Sequence, residues 1–150
     1  MNNKGFTLVE LIATIAILAL IVTISVPIVT SVINNSKEKN YTILVSNIKT
    51  AAKTYYEECD FNNSAAISSI CTNHRVTLKQ LANYGFLSTN RKENCTGDNC
   101  VIITNPKDNK DIATCIIEIT KTVNASNYKT TYTIESKSTN TSCPTTNDYK

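Results

Sequence analysis

Residues 11–33 read LIATIAILALIVTISVPIVTSVI, a run of 23 residues that contains no charged side chain. As an α-helix this run is about 35 Å long, which is enough to cross a hydrocarbon core of about 30 Å with some tilt. An ordinary secretory signal has a shorter apolar region that is followed by a small-residue cleavage site. This run is too long for that class, and no convincing site follows it. The stretch therefore predicts a membrane-spanning helix.

The carboxylate of Glu10 stands immediately before this run. An ionisable group at the bilayer centre costs roughly 2.5–3.5 kcal/mol, and less near an interface, so it indicates a functional site whose partner must be identified. A cut between Gly5 and Phe6 would create an ammonium group four residues before Glu10, on the same face of a helix. A plain membrane anchor explains the length of the run, but neither Glu10 nor the abrupt boundary after Lys4.

Residues 4–12, KGFTLVELI, resemble the cleavage and methylation signature of type IV prepilins and pseudopilins. That family has a short basic leader, a Gly before the cut, a Phe after it and a Glu at the fifth mature position, followed by an apolar helix. Gly5, Phe6 and Glu10 match those positions, and Pro27 matches a proline that is common in the membrane helix of these proteins. The resemblance covers roughly the first 30 residues of the chain.

The resemblance also implies which proteins process and assemble this chain. A prepilin peptidase would cut after Gly5 on the cytoplasmic side and methylate the new amine of Phe6. Subunits would wait in the cytoplasmic membrane with the amino terminus inside, and an assembly ATPase and a membrane platform protein would lift them into an extracellular helical filament of identical or related pilin subunits.

Within such a filament, Glu10 would pair with the Phe6 amine of a neighbouring subunit, since an unpaired buried charge costs about 3–5 kcal/mol. There are two alternatives. Glu10 could pair with the Phe6 amine of its own chain, or its carboxylate could reach the membrane–water interface.

Pro27 removes one helical N–H and crowds the Thr23 carbonyl. In this family the helix around the proline can bend or locally melt, and a harmless kink is the alternative. The hydroxyls of Thr23, Ser25 and Thr30 are expected to satisfy the freed backbone groups.

Helical spacing resumes after the polar residues 34–40, which contain neither Gly nor Pro. One apolar stripe recurs at three- and four-residue steps and consists of Tyr41, Leu44, Val45, Ile48, Ala52 and Tyr55. We therefore predict one helix from about residue 6 to residue 58. The domain organisation that follows is a cleaved leader (1–5), a transmembrane and polymerisation helix (6–33) and an exported head (34–150).

The head is predicted to be α+β. Residues 76–85 indicate a short helix, with capping-box spacing between Thr77 and Gln80, a staple from Val76 to Leu81, and Gly85 as the stop. Residues 101–104, 112–120 and 129–135 are strand-like runs separated by polar turns. These three runs are expected to form a small antiparallel sheet on the amphipathic second half of the long helix.

Six cysteines follow the apolar run, and an even number in a small exported head indicates disulfides in an oxidising compartment. They are Cys59, Cys71, Cys95, Cys100, Cys115 and Cys143. Six cysteines allow 15 pairings. A metal site is the rival interpretation, but no second closely spaced pair completes Cys95 and Cys100, so no metal is expected. Cys59 and Cys71 are candidates to clamp an irregular connection between residues 59 and 75. The resemblance to type IV pilins, which often have a cysteine-closed carboxy-terminal loop, implies a Cys115–Cys143 bridge.

No residue pattern indicates catalysis or a cofactor. His74, the only histidine, has no partner pattern for a base, and no framed nucleophile or glycine-rich phosphate loop is present. The spacing of Asp98, Asp108 and Asp111 matches no standard calcium loop, which favours turn residues.

The sequence therefore predicts a non-enzymatic structural subunit of a type IV pilus-like filament that serves adhesion, motility, secretion or DNA uptake. A minor pilin or a pseudopilin of a type II secretion or competence system is the alternative, and a monomeric membrane-anchored exported domain is a third possibility. Contact with DNA would need a basic stripe. The formal net charge is only +3, and the candidates on the long helix are Lys37, Lys39, Lys49 and Lys53.

Overall fold

The computed structural model describes residues 7–61, 71, 74–91, 95, 100–127 and 129–150. The chain forms two compact units, Met1–Glu38 and Lys39–Lys150. We call the second unit the head. Helix α1 (Leu8–Phe61) contributes residues to both units.

The prediction of one long helix is confirmed, because α1 continues without interruption through residues 34–40. It ends three residues later than expected, and residue 6 lies outside the described residues. In the head, α1 buries Tyr41, Val45, Ile48, Ala51, Ala52 and Tyr55. The predicted stripe is therefore the core-facing side of the helix, and Leu44 packs partly buried beside it.

The short helix α2 (Leu78–Asn83) lies inside the predicted range and carries the predicted signals. The hydroxyl of Thr77 accepts a hydrogen bond from the Gln80 N–H (3.1 Å), and Gln80 Oε1 accepts one from the Thr77 N–H (2.8 Å). This is a complete capping box. Gly85 follows the helix at a φ of +81°, a left-handed conformation that glycine adopts without strain and that reverses the chain.

Within the described residues, five strands form two antiparallel sheets. In chain order they are β1 (Arg75–Thr77), β2 (Asn90–Arg91), β3 (Val101–Ile102), β4 (Ile116–Val123) and β5 (Thr130–Ser136). The larger sheet has the order β1-β4-β5, and β2 pairs with β3 in the smaller one. Val76, placed by the sequence at the start of the helix, belongs to β1.

Two strand predictions are wrong in part. Residues 101–104 do not join the larger sheet, because the chain folds back at once: the Ile112 N–H donates to the Ile103 carbonyl (2.7 Å). The run predicted at residues 112–120 becomes a strand only at Ile116, since Asp111 Oδ1 accepts the N–H of Ala113 (2.9 Å) and holds that stretch as a turn. Strand β1 pairs with β4 in place of residues 101–104, and the run predicted at residues 129–135 is observed as β5.

The core of the head lies between the apolar side of α1, α2 and the larger sheet. Its largest fully buried side chains include Tyr55, Ile48, Leu78, Leu81, Ile112, Ile117 and Ile119. On β4, Ile117 and Ile119 point to this core, while Ile116 on the opposite face is exposed. The alternation of a half-buried strand therefore holds within β4 itself.

All six cysteines are paired, as Cys59–Cys71, Cys95–Cys100 and Cys115–Cys143, with Cα–Cα distances of 5.7, 5.5 and 5.8 Å. The structure thus contains both the Cys59–Cys71 clamp and the Cys115–Cys143 bridge expected from the sequence. Most of the connection that Cys59 and Cys71 enclose lies outside the described residues.

The carboxy-terminal segment, residues 137–150, is anchored on the helix side of the head. Asp148 Oδ2 accepts hydrogen bonds from the Tyr41 hydroxyl (2.9 Å) and from the N–H of Thr145 (2.6 Å). Burial raises the pKa of Asp148, but the hydrogen bonds from Thr145 and Tyr41 outweigh it and hold that pKa below its usual value. Tyr149 is buried beside these groups, and burial raises the pKa of its hydroxyl.

Candidate functional site

The described part of the predicted processing segment begins at Thr7, because Gly5 and Phe6 lie outside the described residues. Glu10 Oε2 accepts hydrogen bonds from the Thr7 N–H (2.9 Å) and the Thr7 hydroxyl (2.8 Å). In return, the Thr7 hydroxyl accepts the N–H of Glu10 (3.3 Å). The Leu11 N–H donates to the Thr7 carbonyl (3.2 Å), the first bond of α1. Thr7 and Glu10 therefore form a capping box at the start of the helix.

Thr7 is the functional candidate that the sequence reasoning missed. The signal was present as Thr7-x-x-Glu10, the same spacing by which Thr77 and Gln80 predicted the start of α2. The structure shows that the carboxylate has hydrogen-bond donors within its own chain.

The hydrogen bonds from Thr7 reduce the free-energy cost of placing the Glu10 carboxylate beside an apolar segment. A carboxylate that accepts the orphan donors at a helix N-terminus is also favoured by the helix dipole. Glu10 is nevertheless exposed, so its carboxylate is accessible to a further partner. The structure shows the capping role, whereas pairing of Glu10 between subunits stays a prediction that an experiment has to distinguish from capping.

The apolar side chains that follow Glu10 are not buried by any described residue of their own unit. Every residue from 7 to 36 is exposed, and Glu10 is the only charged one among them. In the described part of the chain, α1 is the helix that is long and apolar enough to cross a membrane. A continuous exposed apolar surface requires a lipid or protein environment, which fits membrane insertion.

Pro27 lies within α1 and does not end it. The hydroxyls of Thr23, Ser25 and Thr30 donate to carbonyls of the turn before each of them (2.8 to 2.9 Å), and none donates to the Thr23 carbonyl, for which Pro27 has no N–H to offer. The expectation that they satisfy this group is therefore wrong. A helical hydroxyl reaches the carbonyl three or four residues before it, so only positions 26 and 27 reach Thr23, and these are Val26 and Pro27.

The polar groups of the head that suggested metal or acid–base chemistry make structural contacts. Asp108 accepts hydrogen bonds from the Ser142 hydroxyl (2.5 Å) and from the Lys110 N–H (3.2 Å), and the Ser142 bond lowers the pKa of this carboxyl. Asp111 holds the turn described above, and the ring of His74 stacks on Tyr56 at 5.0 Å. Asp98 lies outside the described residues, among which no cluster with the composition of a metal site occurs.

The four lysines of the candidate basic stripe belong to different parts of the structure. Lys53 lies 3.8 Å from Glu57, an ion pair whose members are both about half exposed. Lys49 and Lys53 line a groove on the head together with Lys129 of the loop before β5. Lys37 belongs to the amino-terminal unit and Lys39 is the first residue of the head.

Residues 1–26 match the family model described as the prokaryotic N-terminal methylation motif, the prepilin-type signal of type IV pilins and pseudopilins. The match confirms the resemblance of residues 4–12. No curated protein and no solved structure significantly matches the chain.

The matched motif, the membrane-capable helix and the disulfide-bonded α+β head support a type IV pilin-like or pseudopilin-like protein. Proteins of that class are structural rather than catalytic. The motif also implies processing by a prepilin peptidase and assembly with other pilins.

Proposed function

We propose that this chain is a structural subunit of an extracellular type IV pilus-like filament. A prepilin peptidase cleaves it after Gly5 and methylates the Phe6 amine, and the subunit assembles through residues 6–33 while residues 34–150, which contain the head, are exported. The observation that supports this best is the prepilin-type motif at residues 1–26, which overlaps an exposed apolar segment, residues 7–36, whose single charged residue is Glu10.

Assembly rests on the charge of Glu10. The capping box satisfies the carboxylate as a hydrogen-bond acceptor, but it supplies no positive charge. The Phe6 amine of a neighbouring subunit supplies that charge once the leader is removed. Withdrawal of one partner leaves the other charge unpaired among packed helices, which costs about 3–5 kcal/mol. The pair therefore fixes the axial register of each added subunit.

The chain offers a matched test of this role. Gln80 performs at α2 the capping that Glu10 performs at α1, which shows that a glutamine suffices as the capping partner of a threonine in this fold. Glu10→Gln should therefore keep the helix start and remove only the charge, whereas Thr7→Val removes the cap and keeps the charge. We expect E10Q to be cleaved and inserted but absent from sheared filaments, and T7V to assemble.

Mass spectrometry of the mature amino terminus checks processing in both variants, with N-methyl-Phe6 as the expected species. Normal filaments from E10Q would refute the charge pairing and leave Glu10 as a helix cap. An intact Met1 in the wild-type protein would refute the whole assignment.

A minor pilin or pseudopilin of a secretion or DNA-uptake system is the second candidate, since the same motif supports it. The sheared surface fraction distinguishes the two: a major pilin is its main component and a minor subunit is not. For DNA uptake, binding by Lys49 and Lys53 would weaken steeply with salt, and an absence of binding at low salt would exclude this contact.

A further inference from the structure

The outer edge of β5 carries backbone groups that no other described residue binds. The sheet order places β5 at an edge. The Asn124 N–H donates to the Lys129 carbonyl (3.0 Å) at one end of the β4–β5 ladder, and the Lys137 N–H donates to the Ile116 carbonyl (2.9 Å) at the other. In an antiparallel ladder, the two residues of every second opposing pair exchange N–H···O=C hydrogen bonds. The odd-numbered residues of β5 therefore face β4, and the even-numbered ones direct their N–H and C=O groups outward.

Ser136 supports this assignment, because its N–H donates to the hydroxyl of Thr146 (3.0 Å), outside the ladder. The carboxy-terminal segment thus covers one end of the edge. For Thr130, Tyr132 and Ile134, the described part of the chain provides no such partner. The strand therefore has three outward N–H donors and three outward carbonyl acceptors, which alternate along its edge. An additional β-strand can pair with such an edge.

This free edge borders a groove of about 370 Å³ between β5 and α1, which we call the edge groove. Its α1 wall consists of Lys49, Thr50 and Lys53, and its β5 wall consists of residues 129–132 and 134. Among the described residues, Lys49 and Lys129 have no ion-pair partner. The groove therefore combines a strand template with an excess of positive charge.

We propose that the edge groove binds an extended acidic segment of another protein as an added β-strand. Main-chain hydrogen bonds to Thr130, Tyr132 and Ile134 would hold the segment, and alternate carboxylates would face Lys49, Lys53 and Lys129. The proposal does not depend on the filament role.

Charge and side-chain contacts select this occupant over two others. A second copy of the β5 segment, residues 129–137, carries two lysines and one glutamate, so it would bring net positive charge to a groove that already has an excess of it. Like charges across a strand pair are destabilising. A nucleic acid would use an accessible aromatic face, but the Tyr132 hydroxyl donates to Glu57 (3.0 Å) and its ring packs edge-on against Tyr56 at 5.8 Å.

The test uses the full chain in detergent micelles and a fluorescein-labelled peptide of alternating Val and Glu with blocked ends. We expect saturable binding by fluorescence anisotropy, and slower amide exchange at Thr130, Tyr132 and Ile134. The same peptide with Lys in place of Glu should bind far more weakly. Equal binding of both peptides, no binding of either, or protection at another strand would overturn the proposal.

Two pairs of variants test the contacts. Lys49→Glu with Lys129→Glu should weaken binding about fivefold or more, while the control Lys110→Glu with Lys150→Glu makes the same change in net charge outside the groove and should have no effect. Thr130→Pro removes one outward N–H and should weaken binding roughly two- to tenfold, whereas Thr130→Val keeps that N–H and should not. If instead a single-stranded oligonucleotide binds and the K49E/K129E protein loses it, the groove is a nucleic-acid site and the proposal is wrong.

Discussion

Removal of the Cys115–Cys143 bridge should destabilise the head more than removal of either of the other two bridges. Its cysteines are 28 residues apart in sequence, against 12 for Cys59–Cys71 and 5 for Cys95–Cys100. The chain-entropy relation gives about 3.6 kcal/mol for the longest loop, about 2.8 for the middle one and about 2 for the shortest. Replacement of Cys115 and Cys143 by alanine should therefore lower the free energy of unfolding by about 3–4 kcal/mol.

Packing increases this difference. Cys115 and Cys143 both belong to the core cluster, with exposed fractions of 1% and 6%, and the bridge holds the segment that carries Tyr149. Of the pair Cys95 and Cys100, only Cys100 is buried, and Cys95 is exposed. The matched control is the replacement of Cys95 and Cys100 by alanine. It removes the same kind of bond from a short loop, so it should cost roughly half as much.

Tyrosine fluorescence during urea unfolding in micelles measures this difference. The chain has no tryptophan, and its seven tyrosines all lie between residues 41 and 149. The signal therefore reports the unfolding of the head and not of the apolar segment. If the C95A/C100A protein loses as much stability as C115A/C143A, loop length does not set the contribution of these bridges and the reasoning fails.

Two further predictions concern local contacts of the head. Thr77→Ala removes the cap of α2 and should lower the free energy of unfolding by about 0.5–2 kcal/mol, while Thr77→Ser keeps the hydroxyl and should lose little; equal losses in the same urea titration would exclude the cap as the cause. Asp148→Asn should cost about 1 kcal/mol near neutral pH, a small value because the carboxylate is exposed. The pKa of Asp148 is lowered in the folded state, so its contribution is fully present above the ordinary value of 3.8 and is lost as the pH falls through the lower folded pKa. The stability difference between wild type and D148N should therefore shrink below about pH 4, and a difference that stays constant down to about pH 2 would contradict the role of the ionised form.

The elements that the sequence predicts well are those fixed by neighbouring residues. Helix α2 needs only Thr77, Gln80 and Gly85, which act within one or two turns, and the apolar stripe of α1 follows from helical periodicity alone. The Thr7–Glu10 cap has the same local spacing, but its role was not predicted and follows from the hydrogen bonds in the structure.

The pairing of short strands is less accessible from sequence because it depends on distant partners. Strand β1 has three residues, too few for a periodic signal, and it exists because Val76 pairs with Ile117, 41 positions later. Residues 101–104 have the composition of a strand, but their position follows from the fold-back to Ile112. The free edge of β5 likewise follows from the sheet order and not from any residue type.

The order of the disulfide bonds has a consequence for how the head reaches its oxidised state. The cysteines pair in consecutive order along the chain, the first with the second, the third with the fourth and the fifth with the sixth, so none of the three loops encloses or crosses another. When such a chain is translocated with its amino-terminal helix first, every cysteine meets its native partner before a competing one emerges. Oxidation in the order of emergence then produces the native set, one of 15 possible pairings, without a step that reshuffles bonds. This connectivity suits the exported subunit that we propose.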